Sequence, residues 1–225
     1  MTFEAVEDGF QARVAEIELF LARLKEADQA LVEGHVLGSN RATIPDASQD
    51  EWVRILKGTV YVLLYSLVEA HTRQGFLALF AKIKSESVLP SAASKRFVSQ
   101  WFHQRLRRDV KAFSGTPVQY VENAILALQD VREGKPLDLR PSELPFSGNL
   151  DREVIEGVLK LFDIQVVASQ REESRDALRT VKIERNHLSH GDRSFAEVGR
   201  DRSVADLESM KQEVVGYLSQ VLTAM

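Results

Sequence analysis

The chain has 225 residues, no cysteine, and 29 Lys and Arg against 33 Asp and Glu, for a formal net charge of −4. Without cysteine there are no disulfides, thiolate metal sites or cysteine nucleophiles, which suits a reducing, cytoplasmic setting. The charge balance excludes a bulk polycation, so any nucleic-acid contact must be local. The charge-free stretch Gly58 to Val68 is far shorter than the about 18 apolar residues of a membrane span. The start, Met1-Thr2-Phe3-Glu4, has no basic segment of the signal-peptide kind. A protein away from the membrane is expected, with one helical domain over residues 1–225.

The first predicted helix covers about Phe3 to Val32. Val6, Phe10, Val14, Ile17, Leu21, Leu24 and Leu31 fall on one helical stripe, and Glu4, Glu7, Asp8, Glu16 and Glu18 make an acidic opposite face. Gly34 and Gly38 break it, and Asn40 to Gln49 reads as a loop. Ser48 and Glu51 have capping-box spacing, which places the start of a second helix near Asp50 and its end near Lys84. Its middle, Thr59 to Val68, is apolar on nearly every face, as a central buried helix must be.

After the break at Pro90, Ser94 to Ala112 reads as a basic helix with Lys95, Arg96, Arg105, Arg107, Arg108 and Lys111 around Trp101 and Phe102. Either it tracks RNA phosphates with an aromatic stacked on a base, or it is a solvated face, one the acidic first helix could meet within the molecule. Pro117 to Val131 is a further helix, and Gly134 to Leu150, with three prolines and two glycines, a loop. Residues 90–150 together read as an inserted helical and loop segment.

Asp151 to Phe162 is a short helix. Ser169 to Glu172 is a second capping box, opening a helix that runs to Ser189 or His190 and stops at Gly191. Ser203 caps a last amphipathic helix through Val204, Leu207, Met210, Val214, Leu218 and Val221. No alternating strand series occurs. The fold class is all-α.

Gly-rich phosphate loops, His-Glu-x-x-His and Gly-x-Ser-x-Gly are all missing. The chemistry that remains is Arg185-Asn186-His187-Leu188-Ser189-His190-Gly191 at a helix end. Leu178, Val181, Arg185 and Leu188 share one stripe, which puts a guanidinium where an apolar side chain is expected. Such a charge must be paired, with Glu69 for instance, or line a cleft or an interface. Asn186 and His190 lie four apart on one face. The same two positions, His190 and Gly191, also fit a plain helix C-cap. A metal site from His71, His187 and His190 lacks an acidic ligand pattern, and no metal or other cofactor is expected.

Lys182 to Gly191 at a helix end, followed by a closing amphipathic helix in an all-α chain, resembles the HEPN superfamily, closest to the HEPN-like nucleases of bacterial toxin–antitoxin and abortive-infection systems. Leu64 to Arg73 is similar to the buried, Glu-bearing helix of such proteins. The resemblance implies a HEPN-like helical bundle and a metal-independent endoribonuclease, working as a homodimer in toxin or antiviral roles, with RNA as substrate and an antitoxin or similar partner protein. It implies that Arg185 binds the scissile phosphate, that His190 acts as general acid or base, and that Asn186 orients them. Glu69 and His187 would support the site; independently of the resemblance, Lys95, Arg96, Arg105 and Arg108 of the basic helix are the candidate RNA contacts if that helix is not simply a solvated face. The alternative from the same resemblance is a non-catalytic RNA- or protein-binding module that pairs with a partner such as a nucleotidyltransferase. On a regular helix Arg185 and His190 point about 140° apart. Either the helix distorts before Gly191 or the working pair comes from two subunits.

Overall fold

The structure, a computed structural model, describes residues 1–33, 46–107, 116–140, 148–166 and 173–225. They form α1 (Phe3–Val32), α2 (Asp46–Ser85), α3 (Lys95–Leu106), α4 (Pro117–Arg132), α5 (Arg152–Leu161), α6 (Glu173–His190), α7 (Phe195–Gly199) and α8 (Val204–Ala224). No strand occurs among the described residues, so the fold is all-α. None of the described helices is long and apolar enough to cross a membrane.

The 40-residue α2 is the pivot. Helices α1, α6, α7 and α8 all pack on it, and α1, α2, α6 and α8 together make the main bundle. Helix α1 has the bounds its stripe predicts; Thr2 caps it and Val6, Phe10, Val14, Ile17, Leu21 and Leu24 are buried. Among the described residues its acids form no ion pair with the basic helix. Glu18 pairs with Lys211 of α8 at 2.8 Å and Asp28 with Lys57 of α2 at 2.7 Å.

Helix α2 begins at Asp46, so Ser48 lies inside its first turn and is not the cap that the Ser48–Glu51 spacing suggested. The acids of Asp46-Ala-Ser-Gln-Asp-Glu51 suit a helix N-terminus over the whole stretch, which removes the need for a cap at Ser48. Nor is α2 covered all round. Trp52, Ile55 and Val62 remain 44, 40 and 37 % exposed along one stripe that continues to Ser66.

The short α7, absent from the sequence-based reading, lies directly on α2. A Cβ on Gly58 would strike the Phe195 carbonyl, and one on Gly199 would strike the Arg54 carbonyl. Two glycines, one from each helix, thus let the backbones touch.

Helices α3 and α4 form a hairpin. Arg105 pairs with the buried carboxylate of Asp130, which Lys135 also reaches at 2.9 Å. The chain after α4 is fastened as well: Leu137 is buried and its amide donates to the Val88 carbonyl at 2.8 Å, while the Arg140 amide donates to Gln104 Oε1 at 2.8 Å. Phe162, the C-cap of α5, meets Phe76, Phe80 and Phe97 with ring centroids 5.2–5.5 Å apart, tying α5 to α2 and α3. Asp151 caps α5, whose bounds fall within one residue of the predicted helix, and Ser203 caps α8 with a full capping box at the predicted position. Gly34, Gly38, the loop to residue 45, Arg108, Lys111 and the Ser169–Glu172 box lie outside the described residues.

Candidate functional site

The end of α6 is set by backbone chemistry. Gly191 has φ +75°, its amide donates to the Leu188 carbonyl at 3.3 Å, and the Asp192 amide donates to the His187 carbonyl at 2.9 Å. This left-handed glycine cap turns the chain out after His190. Arg193 then clips the turn, donating to Glu184 at 2.9 Å, to the Glu197 carbonyl at 2.8 Å and to Asp201 at 3.3 Å. Helix α6 stays α-helical through His190, so the distortion that would bring Arg185 and His190 together does not occur. Within one copy His190 shares a face with Asn186 and not with Arg185.

Arg185 sits half-buried on the packing stripe between Val181 and Leu188. Its guanidinium lies over the Tyr65 ring of α2, 4.3 Å from the centroid, and Nη1 donates to Asn186 Oδ1 at 3.1 Å. Asn186 Nδ2 in turn donates to Asn149 Oδ1 at 3.1 Å. Asn149 is pinned from both sides, because the Tyr65 hydroxyl donates to the Gly148 carbonyl and accepts from the Leu150 amide at 3.0 Å. The contacts close a ring from Tyr65 through the 148–150 segment, Asn186 and Arg185 back to Tyr65. Burial raises the Tyr65 pKa, opposed by the Leu150 amide and by Arg185, so the phenol stays protonated.

Glu69 lies one turn beyond Tyr65 and makes no ion pair with Arg185, so the anticipated pairing is not formed. Among the described residues no carboxylate faces the guanidinium, whose charge is supported by the face of a ring and an amide oxygen. His187 is half-buried with Nδ1 3.5 Å from Asp192 Oδ2. His190 is exposed and its side chain has no hydrogen-bond or ion-pair partner among the described residues. Beside the ring, Asp151, Arg152, Glu153, Arg179 and Lys182 line a cavity of about 300 Å³, with Lys182 paired to Asp151.

His71 points elsewhere. It is buried against Phe10 at 4.1 Å, with Nε2 3.3 Å from the Leu218 carbonyl, and burial lowers its pKa. It therefore does not join His187 and His190, and among the described residues no group of three or more His, Asp or Glu is placed to hold a metal ion.

On the basic helix, Lys95 and Arg96 are exposed, Arg96 3.6 Å from Asp163, whereas Arg105 is taken up by Asp130 and by the Trp101 ring at 5.8 Å. Trp101 itself is buried, so it offers no surface on which a base could stack. Tyr65 and Asn149 were not singled out from the sequence. Tyr65 was within reach, since it precedes Glu69 by one turn on the same helix face; Asn149 is brought in by a loop with no periodic signal.

The profile of the HEPN_MAE_28990-like HEPN family matches residues 4–225. The chain belongs to this HEPN family. No curated protein and no solved structure matches it. The HEPN match takes in α3, α4 and the segment after them together with the Arg185–Gly191 helix end.

Proposed function

We infer that this HEPN chain is a metal-independent endoribonuclease that works as a homodimer, with Arg185, Asn186 and His190 of both copies lining one cleft. The observation that carries the reading is the Arg185 guanidinium, half-buried, braced by Tyr65 and Asn186, and faced by no carboxylate among the described residues. A cation held this way has donors left for an anion, and a phosphate oxygen fits its planar fork. The uncovered α2 stripe at Trp52, Ile55 and Val62 runs beside Tyr65 and supports a second copy docking over the site.

The chemistry follows from the side chains. One His190 imidazole removes the proton of an RNA 2′-hydroxyl, whose oxygen attacks the adjacent phosphorus. The P–O5′ bond breaks, the second His190 of the dimer protonates O5′, and a 2′,3′-cyclic phosphate remains. An imidazole has one ring nitrogen that can accept a proton and one that can donate it, which suits both tasks, and Arg185 stabilises the charge on the phosphate as it develops. Asn186 holds Arg185 and reaches the His190 face of α6. The biological setting that fits such cleavage is a toxin or antiviral effector with an antitoxin or similar partner.

The deciding experiment is cleavage of mixed RNAs in EDTA by wild type, Arg185→Ala and His190→Ala, with product ends identified. Loss of roughly 100-fold or more in both folded variants, with cyclic-phosphate ends from wild type, is expected. No cleavage by folded wild type moves the reading to a non-catalytic RNA- or protein-binding HEPN module, which the separation of Arg185 from His190 within one copy favours. Equal cleavage by all three would place the activity outside this site.

A further inference from the structure

We propose that the outward face of α4 is a second self-association surface, pairing antiparallel with α4 of another copy of this chain. Ala127 and Asp130 turn α4 toward α3, and directly opposite them Val118, Val121, Ile125 and Leu128 face away from the body. These four are 50–63 % exposed, and Tyr120, Leu126 and Val131 flank them at 37–54 %. Seven large apolar side chains are thus left open on one 16-residue helix. Surface side chains scattered singly mean nothing, but a contiguous patch marks a partner. At these exposures the four seam residues leave on the order of 400 Å² uncovered, half of the about 800 Å² per partner that a standard interface buries.

The pattern indicates what covers it. Val118, Val121, Ile125 and Leu128 follow one another at three, four and three residues, the spacing of a two-helix seam. An identical helix presents the identical seam, so a two-fold axis satisfies both faces at once. Charge selects the direction. Arg132 occupies the next seam position, and a parallel pair would set two Arg132 side chains against each other. An antiparallel pair sends them to opposite ends and stacks Val118 of one copy on Leu128 of the other and Val121 on Ile125, four fully apolar layers. Along the seam from Val118 to Val131 the exposed face carries one charge, Glu122, at its edge; Asp130 is buried and paired.

The surface is on a different helix from Arg185 and His190, so its test is separate from the cleavage assay. Light scattering after gel filtration should show the mass of the full chain halving on Ile125→Glu or Leu128→Glu, with the circular dichroism of wild type kept, since both positions are exposed. The absence of native cysteine allows the register to be read directly. Under mild oxidation, Val121→Cys mixed with Ile125→Cys should give a cross-linked dimer, and either variant alone should not. A monomeric wild type, an unchanged mass in the charged variants, or cross-linking of Val121→Cys to itself would each overturn the proposal.

Discussion

The Arg185 guanidinium lies over the ring of Tyr65, 4.3 Å from its centroid, and not against Glu69. The difference matters for both stability and chemistry. A carboxylate would neutralise the cation and occupy its fork, whereas an aromatic face supports the charge and leaves the fork free. The same tyrosine fixes Gly148 and Leu150, so one α2 side chain positions both the cation and the amide that orients it.

Arg185→Ala should therefore cost about 1–2 kcal/mol of stability, the size of a partly desolvated cation–π contact, and not the 3–5 kcal/mol of a broken buried ion pair. Urea denaturation of the two proteins distinguishes these. A loss above 3 kcal/mol would mean that a buried anion is left unpaired, against the geometry described above.

Tyr65→Phe keeps the ring under Arg185 and removes only the hydroxyl. The Gly148 carbonyl and Leu150 amide then lose their partner, for about 1–3 kcal/mol. Because Asn149 lies between them, the variant should also loosen Asn186 and weaken RNA cleavage more than the lost stability explains. Kinetics at a temperature where both proteins are fully folded is the measurement.

The two residues at the end of α6 should behave oppositely. His190→Ala removes an exposed side chain with no partner among the described residues and should change the melting temperature little, within about 0.5 kcal/mol. Gly191→Ala puts a Cβ on a backbone at φ +75° and should cost about 1–2 kcal/mol. Loss of cleavage in His190→Ala without loss of stability would separate chemistry from capping.

Where α7 lies on α2, Gly58→Ala or Gly199→Ala drives a methyl into a backbone carbonyl. Neither oxygen belongs to a flexible side chain, so the helices must part, at about 1–3 kcal/mol. Thermal melts of each variant test this, and an unchanged midpoint in both would contradict the close approach of the two helices.

His71 supplies a pH dependence. Burial lowers its pKa in the fold below the ordinary value near 6.5, opposed by the Leu218 carbonyl. The unfolded chain therefore takes up the proton first. Stability from neutral His71 is complete above about pH 6.5 and falls as the pH drops below it. In His71→Leu that part of the decline from pH 6.5 to 5 should vanish from melts taken across the range.

Helix α1 and the starts of α5 and α8 were legible from the sequence because their causes are local. An apolar residue every third or fourth position and a Ser, Thr or Asp at the cap act within a few residues, and the all-α class follows from them. The helix end at Arg185–Gly191 was legible for the same reason, as Gly191 is where a left-handed residue must come. The partner of Arg185 was not. Glu69 is the obvious counter-charge in a one-dimensional reading, but which α2 side chain lies beneath the guanidinium depends on how α6 is rotated against α2, and that rotation puts Tyr65 there. Asn149 joins through a loop fastened by a tyrosine hydroxyl 84 positions away from it in sequence, and α7 meets α2 through two glycines that bear no side chain to signal the contact. Periodicity and capping reside in the chain itself; the pairing of side chains across helices exists only once the bundle has set their angles and distances.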